Sequence, residues 1–248
     1  MVSLVALAIS TYFGLTKDLF DWEVDITLWL QGFSMGPARF LRGWVFWMGV
    51  KGVAGAAMLM VFAFLWLQRF RIESIFLLFI TLPDLFNFWL REIIGRPRPT
   101  AEMVEVLGGP QGFSFPSGTT LHMLLFYGFL LYLGRRYISS RRTMYALWAL
   151  GSLYILTSGL WVIYDGRHWF TDAIGGYLYG AFYLLVLIAA YKWTKSRIHG
   201  DQAIQYFSRL PRAWRKPVEA VMRIISVEGV SRAYALGEAR PPDGVEER

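Results

Sequence analysis

The stretch SFPSGTTLH, residues 114–122, stands directly before the apolar run MLLFYGFLLYLG, residues 123–134. Pro and Ser are common where a helix begins, and the run behind them has the composition of a membrane-spanning helix. About 20 consecutive apolar residues in helical conformation cross a bilayer, and several runs of this kind occur in the 248 residues. With 55% hydrophobic residues, the chain is more apolar than an ordinary soluble domain. The sequence therefore predicts a membrane protein.

The apolar runs predict an all-α integral membrane bundle of six transmembrane helices, because backbone polar groups in lipid must be paired within their own segment. The predicted spans are 2–15, 44–67, 72–91, 117–134, 144–164 and 173–191. The first run lacks the basic start of a signal peptide, so it is interpreted as a short span. Residues 21–43 mix aromatic and acidic residues, which is typical of an amphipathic interfacial segment. We expect a membrane domain over 1–197 and a basic tail over 198–248.

Basic residues near the ends of the spans predict the orientation of the bundle. One set of basic residues follows the second, fourth and sixth spans: Arg69, Arg71, Arg135, Arg136, Arg141, Arg142, Lys192, Lys195 and Arg197. We expect this side of the bundle, and the tail, to be cytoplasmic. This placement explains the net charge of +7 without a nucleic-acid partner. The opposite side carries four more: Arg91, Arg96, Arg98 and Arg167. A single arginine there would simply snorkel to lipid headgroups, but four in converging segments predict an anionic ligand.

Three stretches at the predicted outer ends of the spans carry residues suited to a phosphoryl group: 91–99, 116–119 and 165–172. Arginine binds phosphoryl oxygens with a planar fork of donors, and the free N–H groups of a helix start attract anions. His168 and Asp172 are four residues apart and so share a helix face. The carboxylate can fix the imidazole tautomer, which makes His168 a candidate nucleophile toward phosphorus. Cysteine is absent and a metal-ligand set is lacking, so neither a metal nor a cofactor is predicted.

The three stretches resemble, in order, the three motifs of the type-2 phosphatidic acid phosphatase (PAP2) superfamily of integral membrane lipid phosphatases. The first motif is Lys, six residues and Arg-Pro, and Arg91 followed by Arg98 has that spacing, with Arg for Lys. Residues 116–118 match the second motif, Pro-Ser-Gly-His. His168 and Asp172 match the second half of the third motif, His, three residues and Asp. The resemblance covers about residues 45–192.

The resemblance implies a mechanism, in which His168 attacks phosphorus and forms a phosphohistidine that water hydrolyses, while Asp172 orients the ring. Residues on all three stretches would bind the phosphate oxygens: Arg91, Arg98, Ser117, Gly118, Thr119 and Arg167. The substrate would be a lipid phosphate or diphosphate, such as a polyprenyl diphosphate, phosphatidate or phosphatidylglycerol phosphate. Membrane lipids are the other expected partners, and the oligomeric state is left open.

Two positions depart from the family pattern. Thr119 replaces the second-motif His, which is the family's general acid, and Trp161-Val162 replaces the Ser-Arg of the third motif, which supplies a phosphate ligand. His122 could supply the acid from the next turn, or it could pair with another group in the bundle. Arg167 could replace the missing cation. The departures leave two alternatives to a phosphatase, namely a lipid-phosphate binding or transport protein and a lipid phosphotransferase.

Two further pairs of residues stand out within the predicted spans. Asp84 and Asn87 lie inside the third span and are expected to face the bundle interior, where Asn87 orients Arg91 or both residues link helices. Gly176 and Gly180 form a small-xxx-small pair, which predicts close packing between helices.

Overall fold

The computed structural model describes residues 11–12, 14–15, 20–34, 36, 42–43 and 51–198. All regular structure within these residues is helical, as the apolar runs predict. The helices are α1 (Asp21–Gln31), α2 (Lys51–Leu67), α3 (Arg71–Leu78), α4 (Thr81–Ile94), α5 (Gly118–Tyr137), α6 (Arg141–Tyr164) and α7 (Phe170–Ile198). Most of the predicted span 2–15, residues 44–50 of the next span and residues 199–248 of the tail lie outside the described residues.

Three of the described helical stretches are long and apolar enough to cross a membrane, namely Arg71–Ile94, Arg141–Tyr164 and Phe170–Ser196. A shorter apolar helix covers Gly52–Leu67. The 20-residue helix α5 lies inside the bundle, where Leu121, Leu125 and Phe129 are completely buried. The structure thus confirms an all-helical membrane bundle, while the count of six spans stays a prediction.

The predicted span 72–91 is longer than expected and is broken between α3 and α4. Pro83 has no N–H and its ring crowds the carbonyl of the residue four positions earlier, Phe79, so a regular helix cannot continue there. The Leu82 N–H donates to the Phe79 carbonyl at 3.2 Å, which closes a tighter turn. At its other end, α4 stops at Gly95, whose φ of 66° is the left-handed conformation common after a helix.

Helices α5 and α7 approach each other closely at two glycines. A Cβ atom at Gly176 would lie 2.0 Å from Oγ1 of Thr120 and 2.4 Å from the carbonyl oxygen of Ser117. A Cβ atom at Gly180 would lie 3.1 Å from the carbonyl oxygen of Leu121. The predicted packing role of the pair is confirmed, and the close approach fixes the start of α5 against the first turns of α7.

Helix α1 exposes large apolar side chains, with Asp21 and Asp25 beside them, and buries two polar ones. Trp22, Leu28 and Trp29 are 41%, 48% and 64% exposed, whereas Glu23 and Thr27 are completely buried. The helix covers only Asp21–Gln31 of the predicted interfacial segment 21–43. It presents apolar side chains outward, which suits a membrane interface, and at the same time it inserts a carboxylate into the bundle.

Candidate active site

Two loops meet at one end of the bundle, where α4 and α6 end and α5 and α7 begin. The Ser117 N–H donates to the carbonyl of Asp172, in the first turn of α7, at 3.0 Å. The indole N–H of the completely buried Trp169 donates across to the Pro97 carbonyl at 3.1 Å. These contacts bring together the three stretches 91–99, 116–119 and 165–172.

His168 lies within this junction and is 3% exposed. Its Nε2 atom is 3.3 Å from Nη1 of Arg98, and because a guanidinium only donates, the ring accepts at Nε2 and carries its proton on Nδ1. Nδ1 lies 3.7 Å from Oδ2 of Asp172, beyond hydrogen-bonding distance. Burial lowers the pKa of His168 to about 3. The charges of Arg98 and Arg91 also lower this pKa, and Asp172 raises it. The ring is therefore neutral at neutral pH and keeps a lone pair on Nε2.

Asp172 is completely buried next to His168. Its Oδ1 atom accepts from Nη1 of Arg96 at 2.5 Å, and its Oδ2 atom accepts from the Trp169 N–H at 2.8 Å. Arg96 is also completely buried, and its Nη2 atom is 2.6 Å from Oε2 of Glu23 in α1. The expectation that Arg96 belongs with the arginines around an anionic ligand is wrong, because its guanidinium bridges two carboxylates of the protein itself.

The guanidinium charges of Arg98 and Arg91 act on His168, and the charge of Arg167 acts on both of these arginines. Nη1 of Arg98 donates to the Arg167 carbonyl, and Nε of Arg91 donates to the Pro116 carbonyl at 2.9 Å. Burial lowers the pKa of Arg98 to about 10, and the positive charges of Arg91 and Arg167 act in the same direction. Like charges repel each other and a further anion relieves that repulsion, so the cluster is suited to a phosphoryl group.

The start of α5 lies against this cluster. Ser117 is the N-cap of the helix, completely buried, and its Oγ atom accepts a backbone N–H of the first turn at 3.5 Å. A Cβ atom at Gly118 would lie 2.7 Å from Nη2 of Arg91 and 3.0 Å from Nδ2 of Asn87, so glycine lets both side chains lie over the helix start. Thr119 follows in the same turn and is half-buried. Capping uses a lone pair of the Ser117 oxygen, so the hydroxyl hydrogen can still be donated to a phosphate.

His122 lies one turn further along α5 and pairs with Asp84 of α4, with Nδ1 2.8 Å from Oδ2. Asp84, Asn87 and Arg91 are spaced by three and four residues and share the face of α4 that meets the start of α5. Nε2 of His122 and Oδ1 of Asn87 are buried and lack a hydrogen-bond partner among the described residues. Asp84, Asn87, Arg91 and His122 therefore form a polar strip that leads from the arginine cluster into the bundle.

Residues 72–196 match the PAP2 superfamily. The chain belongs to this superfamily. The resemblance noted on the three motifs is thereby confirmed, since the matched region contains all of them. No protein of curated function matches the chain.

Two solved structures resemble the fold. One is a transmembrane PAP2-type phosphatidylglycerolphosphate phosphatase from Bacillus subtilis, with 18% identity, a TM-score of 0.65 and coverage of 76% of this chain and 96% of that chain. Another is LpxE of Aquifex aeolicus, with 19% identity, a TM-score of 0.51 and coverage of 66% of this chain and 93% of that chain. At these identities, the likeness shows that the chain shares their fold.

In this PAP2 member, the position of the third-motif Arg is part of an apolar cluster. Val162 is 1% exposed and packs with Ile163 and Ala173. Its carbonyl accepts the N–H groups of Arg167 at 3.1 Å and of His168 at 3.2 Å. The Val162 carbonyl thus holds the backbone of the 165–169 loop. Its apolar side chain cannot supply the positive charge of the Arg that the PAP2 motif has at this position.

Proposed function

We propose that this chain is an integral membrane phosphatase that hydrolyses a lipid phosphate or diphosphate through a phosphohistidine at His168. The observation that carries the proposal is the position of Nε2 of His168, 3.3 Å from Nη1 of Arg98, with Asp172 on the opposite side of the ring. A neutral imidazole beside clustered guanidinium groups suits attack on phosphorus. Membership of the superfamily and the fold shared with a solved PAP2-type phosphatase support the same class of activity.

The reaction has two steps at phosphorus. In the first, Nε2 of His168 attacks in line, so that an N–P bond forms while the bond to the leaving oxygen breaks. Asp172 stabilises the positive charge that develops on the ring, and Arg91, Arg98 and Arg167 stabilise the charge on the phosphoryl oxygens. In the second step, water attacks phosphorus, the N–P bond breaks with its electron pair returning to Nε2, and phosphate is released.

The leaving oxygen of a monoester needs a proton, and His122 is the candidate donor. Its Nδ1 atom faces Asp84 at 2.8 Å, and its buried Nε2 atom has no hydrogen-bond partner among the described residues. Thr119, at the position of the family's general acid, has no proton to give at neutral pH. General-acid help is worth about 10²- to 10⁴-fold, and a leaving group of low pKa needs it least. Because Thr119 replaces the family's acid and His122 would act from the next turn, we infer a preference for diphosphates, whose leaving group is a phosphate.

Purified protein in detergent tests the proposal by phosphate release from phosphatidate, phosphatidylglycerol phosphate and farnesyl diphosphate, with His168→Ala as the inactive control. Release that requires the wild-type histidine supports a phosphatase, and a faster rate on the diphosphate supports the preference. Vanadate binding without any release would instead favour the binding or transport alternative. Release that depends on an added acceptor lipid would favour a phosphotransferase.

We also propose that the site faces the non-cytoplasmic side. The opposite end of the bundle carries the exposed Arg135, Arg136, Arg141 and Arg142, and basic residues concentrate on the cytoplasmic side. Because the chain has no cysteine, a single cysteine can report sidedness in intact cells. A membrane-impermeant thiol reagent is expected to label Glu102→Cys, near the site, and not Ser139→Cys at the other end. The reverse pattern would contradict the proposed orientation.

A further inference from the structure

A continuous series of buried charges connects α1 to the proposed nucleophile. Glu23, Arg96 and Asp172 are all completely buried. Arg96 joins the two carboxylates, with Nη2 2.6 Å from Oε2 of Glu23 and Nη1 2.5 Å from Oδ1 of Asp172. The other oxygen of Asp172 is 3.7 Å from Nδ1 of His168. Glu23 lies outside residues 72–196, which match the superfamily, so no motif of the family assigns it a role.

Glu23 is also fixed to the start of α7. Its Oε1 atom accepts from the Thr171 N–H at 3.0 Å and from the Thr171 hydroxyl at 2.7 Å. At the other end of α1, the side-chain amide of Gln31 donates to the carbonyls of Glu105 and Tyr164, at 2.7 and 2.8 Å. Polar contacts therefore hold α1 against the 95–117 loop and the ends of both helices that flank the 165–169 loop.

The charge balance gives Glu23 an influence on the imidazole. If Arg96 faced Asp172 alone, the guanidinium charge would cancel that of the carboxylate. Because Arg96 is shared between two carboxylates, the group of three carries a net negative charge beside His168. This charge stabilises the positive charge that develops on the ring while Nε2 bonds to phosphorus.

We propose that Glu23 is a positioning residue for the His168–Asp172 pair and acts through Arg96. The inference rests on the proposed phosphatase function and makes α1 a part of the active site. A neutral side chain at position 23 would leave Arg96 to Asp172 alone, and the carboxylate would then support His168 less strongly.

Kinetics of three variants test this role. Glu23→Gln removes the charge at nearly constant shape, and Glu23→Asp keeps the charge. Thr27→Val is the matched control, since Thr27 is completely buried on the same helix and its hydroxyl donates within α1, to the Glu23 carbonyl at 2.9 Å. With phosphatidate and farnesyl diphosphate, we expect Glu23→Gln to lower kcat about 10- to 100-fold, while KM changes less than about threefold. Losses of this size are typical of residues that orient a functional group without contacting the substrate. Glu23→Asp should recover part of the loss, and Thr27→Val should keep the wild-type kcat.

A second readout does not need turnover. The chain has three histidines, so a ¹⁵N spectrum of histidine-labelled protein is simple, and His168→Ala assigns the signals of interest. Glu23→Gln is expected to shift the ¹⁵N signals of His168 and to leave those of His122 in place, while Thr27→Val moves neither. If Glu23→Gln does not fold, Glu23→Asp provides the same test. Its side chain is one methylene shorter, so its carboxylate lies farther from Arg96 and should shift the His168 signals to a smaller extent.

The two readouts separate the failure of this inference from the failure of the proposed function. A wild-type protein that releases no phosphate from either substrate would contradict the phosphatase, and the spectra would still decide the role of Glu23. Unchanged His168 signals in Glu23→Gln, or a kcat equal to that of the wild type, would overturn the positioning role. An equal loss of kcat in Glu23→Gln and Thr27→Val would also overturn it, since any disturbance of α1 would then suffice.

Discussion

Two buried polar networks at opposite ends of the bundle differ in completeness. The site network consists of Glu23, Arg96, Asp172 and His168, and the distal network consists of Glu73, Tyr137, Tyr191 and Lys195. In the distal network, Glu73 accepts from both tyrosine hydroxyls and pairs with Lys195 at 2.9 Å. Among the described residues, its buried side-chain polar atoms all have partners, whereas Nε of Arg96 and Nδ1 of His168 in the site network have none.

This difference separates a network that stabilises the fold from one whose hydrogen bonding is incomplete around the proposed nucleophile. A fully satisfied polar cluster links its helices, here α3, α5 and α7, and fixes their positions. Unsatisfied buried groups cost free energy and are expected where a ligand or a reaction uses them. Changes in the site network should therefore act on activity, and changes in the distal network should act on stability.

The largest effect is expected from His168→Ala, which removes the nucleophile. Loss of a covalent nucleophile should lower phosphate release by about 10⁴-fold or more, while vanadate binding by the arginines persists. Phosphate release and vanadate competition measure the two properties separately. A variant that keeps most of its activity would show that the imidazole has no covalent role.

Arg98→Ala should lower kcat/KM by about 10²- to 10³-fold, because it removes a donor to the charge that develops on the phosphoryl oxygens. Arg98→Lys serves as the control, since it keeps the charge but loses the planar fork, and it should recover only part of the activity. Steady-state kinetics on the preferred substrate check both variants. Full recovery in Arg98→Lys would show that the charge alone is required.

His122→Gln should distinguish the substrates. Without its general acid, the enzyme should hydrolyse phosphatidate about 100-fold more slowly, and farnesyl diphosphate less than about 10-fold more slowly, because a phosphate leaves without protonation. Asp84→Asn should show the same pattern in weaker form. Parallel rate measurements on both substrates provide the test, and equal losses on the two would argue against His122 as the acid.

The smallest effect on activity is expected in the distal network. Tyr191→Phe removes one hydrogen bond to Glu73, which lies at 2.7 Å in the native protein. The free energy of unfolding should fall by about 1 kcal/mol, while kcat stays at the wild-type value. An SDS titration of unfolding together with a phosphate-release assay measures both. A large loss of kcat without a loss of stability would remove the distinction between the two networks.

Sequence patterns placed Arg98, His168 and Asp172 at one end of the bundle, because the order of the spans dictates which loops lie together. They could not indicate that Arg96 is buried between carboxylates, since one of its partners belongs to α1. Glu23 contacts Thr171 across 148 residues of sequence, and no periodicity within α1 encodes that contact.

Two contacts near the site, the N-cap of Ser117 and the pairing of His122 with Asp84, differ in how well the local sequence predicts them. Ser at a helix start is a common N-cap, so the sequence predicts the capping role of Ser117, which leaves its O–H able to donate to a phosphate. The sequence identifies His122 as a candidate but not its partner Asp84, because the break between α3 and α4 sets the register of α4 against α5. Side-chain pairing between helices depends on that register, which composition does not reveal.

The claim that His168 bonds to phosphorus is tested most directly by a single-turnover experiment. A lipid substrate labelled with ³²P in the transferred phosphoryl group is mixed with excess enzyme and stopped with alkali, in which phosphohistidine is stable. The label is expected on the peptide that contains His168, equally in Tyr191→Phe and not in His168→Ala. Phosphate release at the wild-type rate with no label on that peptide would contradict the phosphohistidine mechanism.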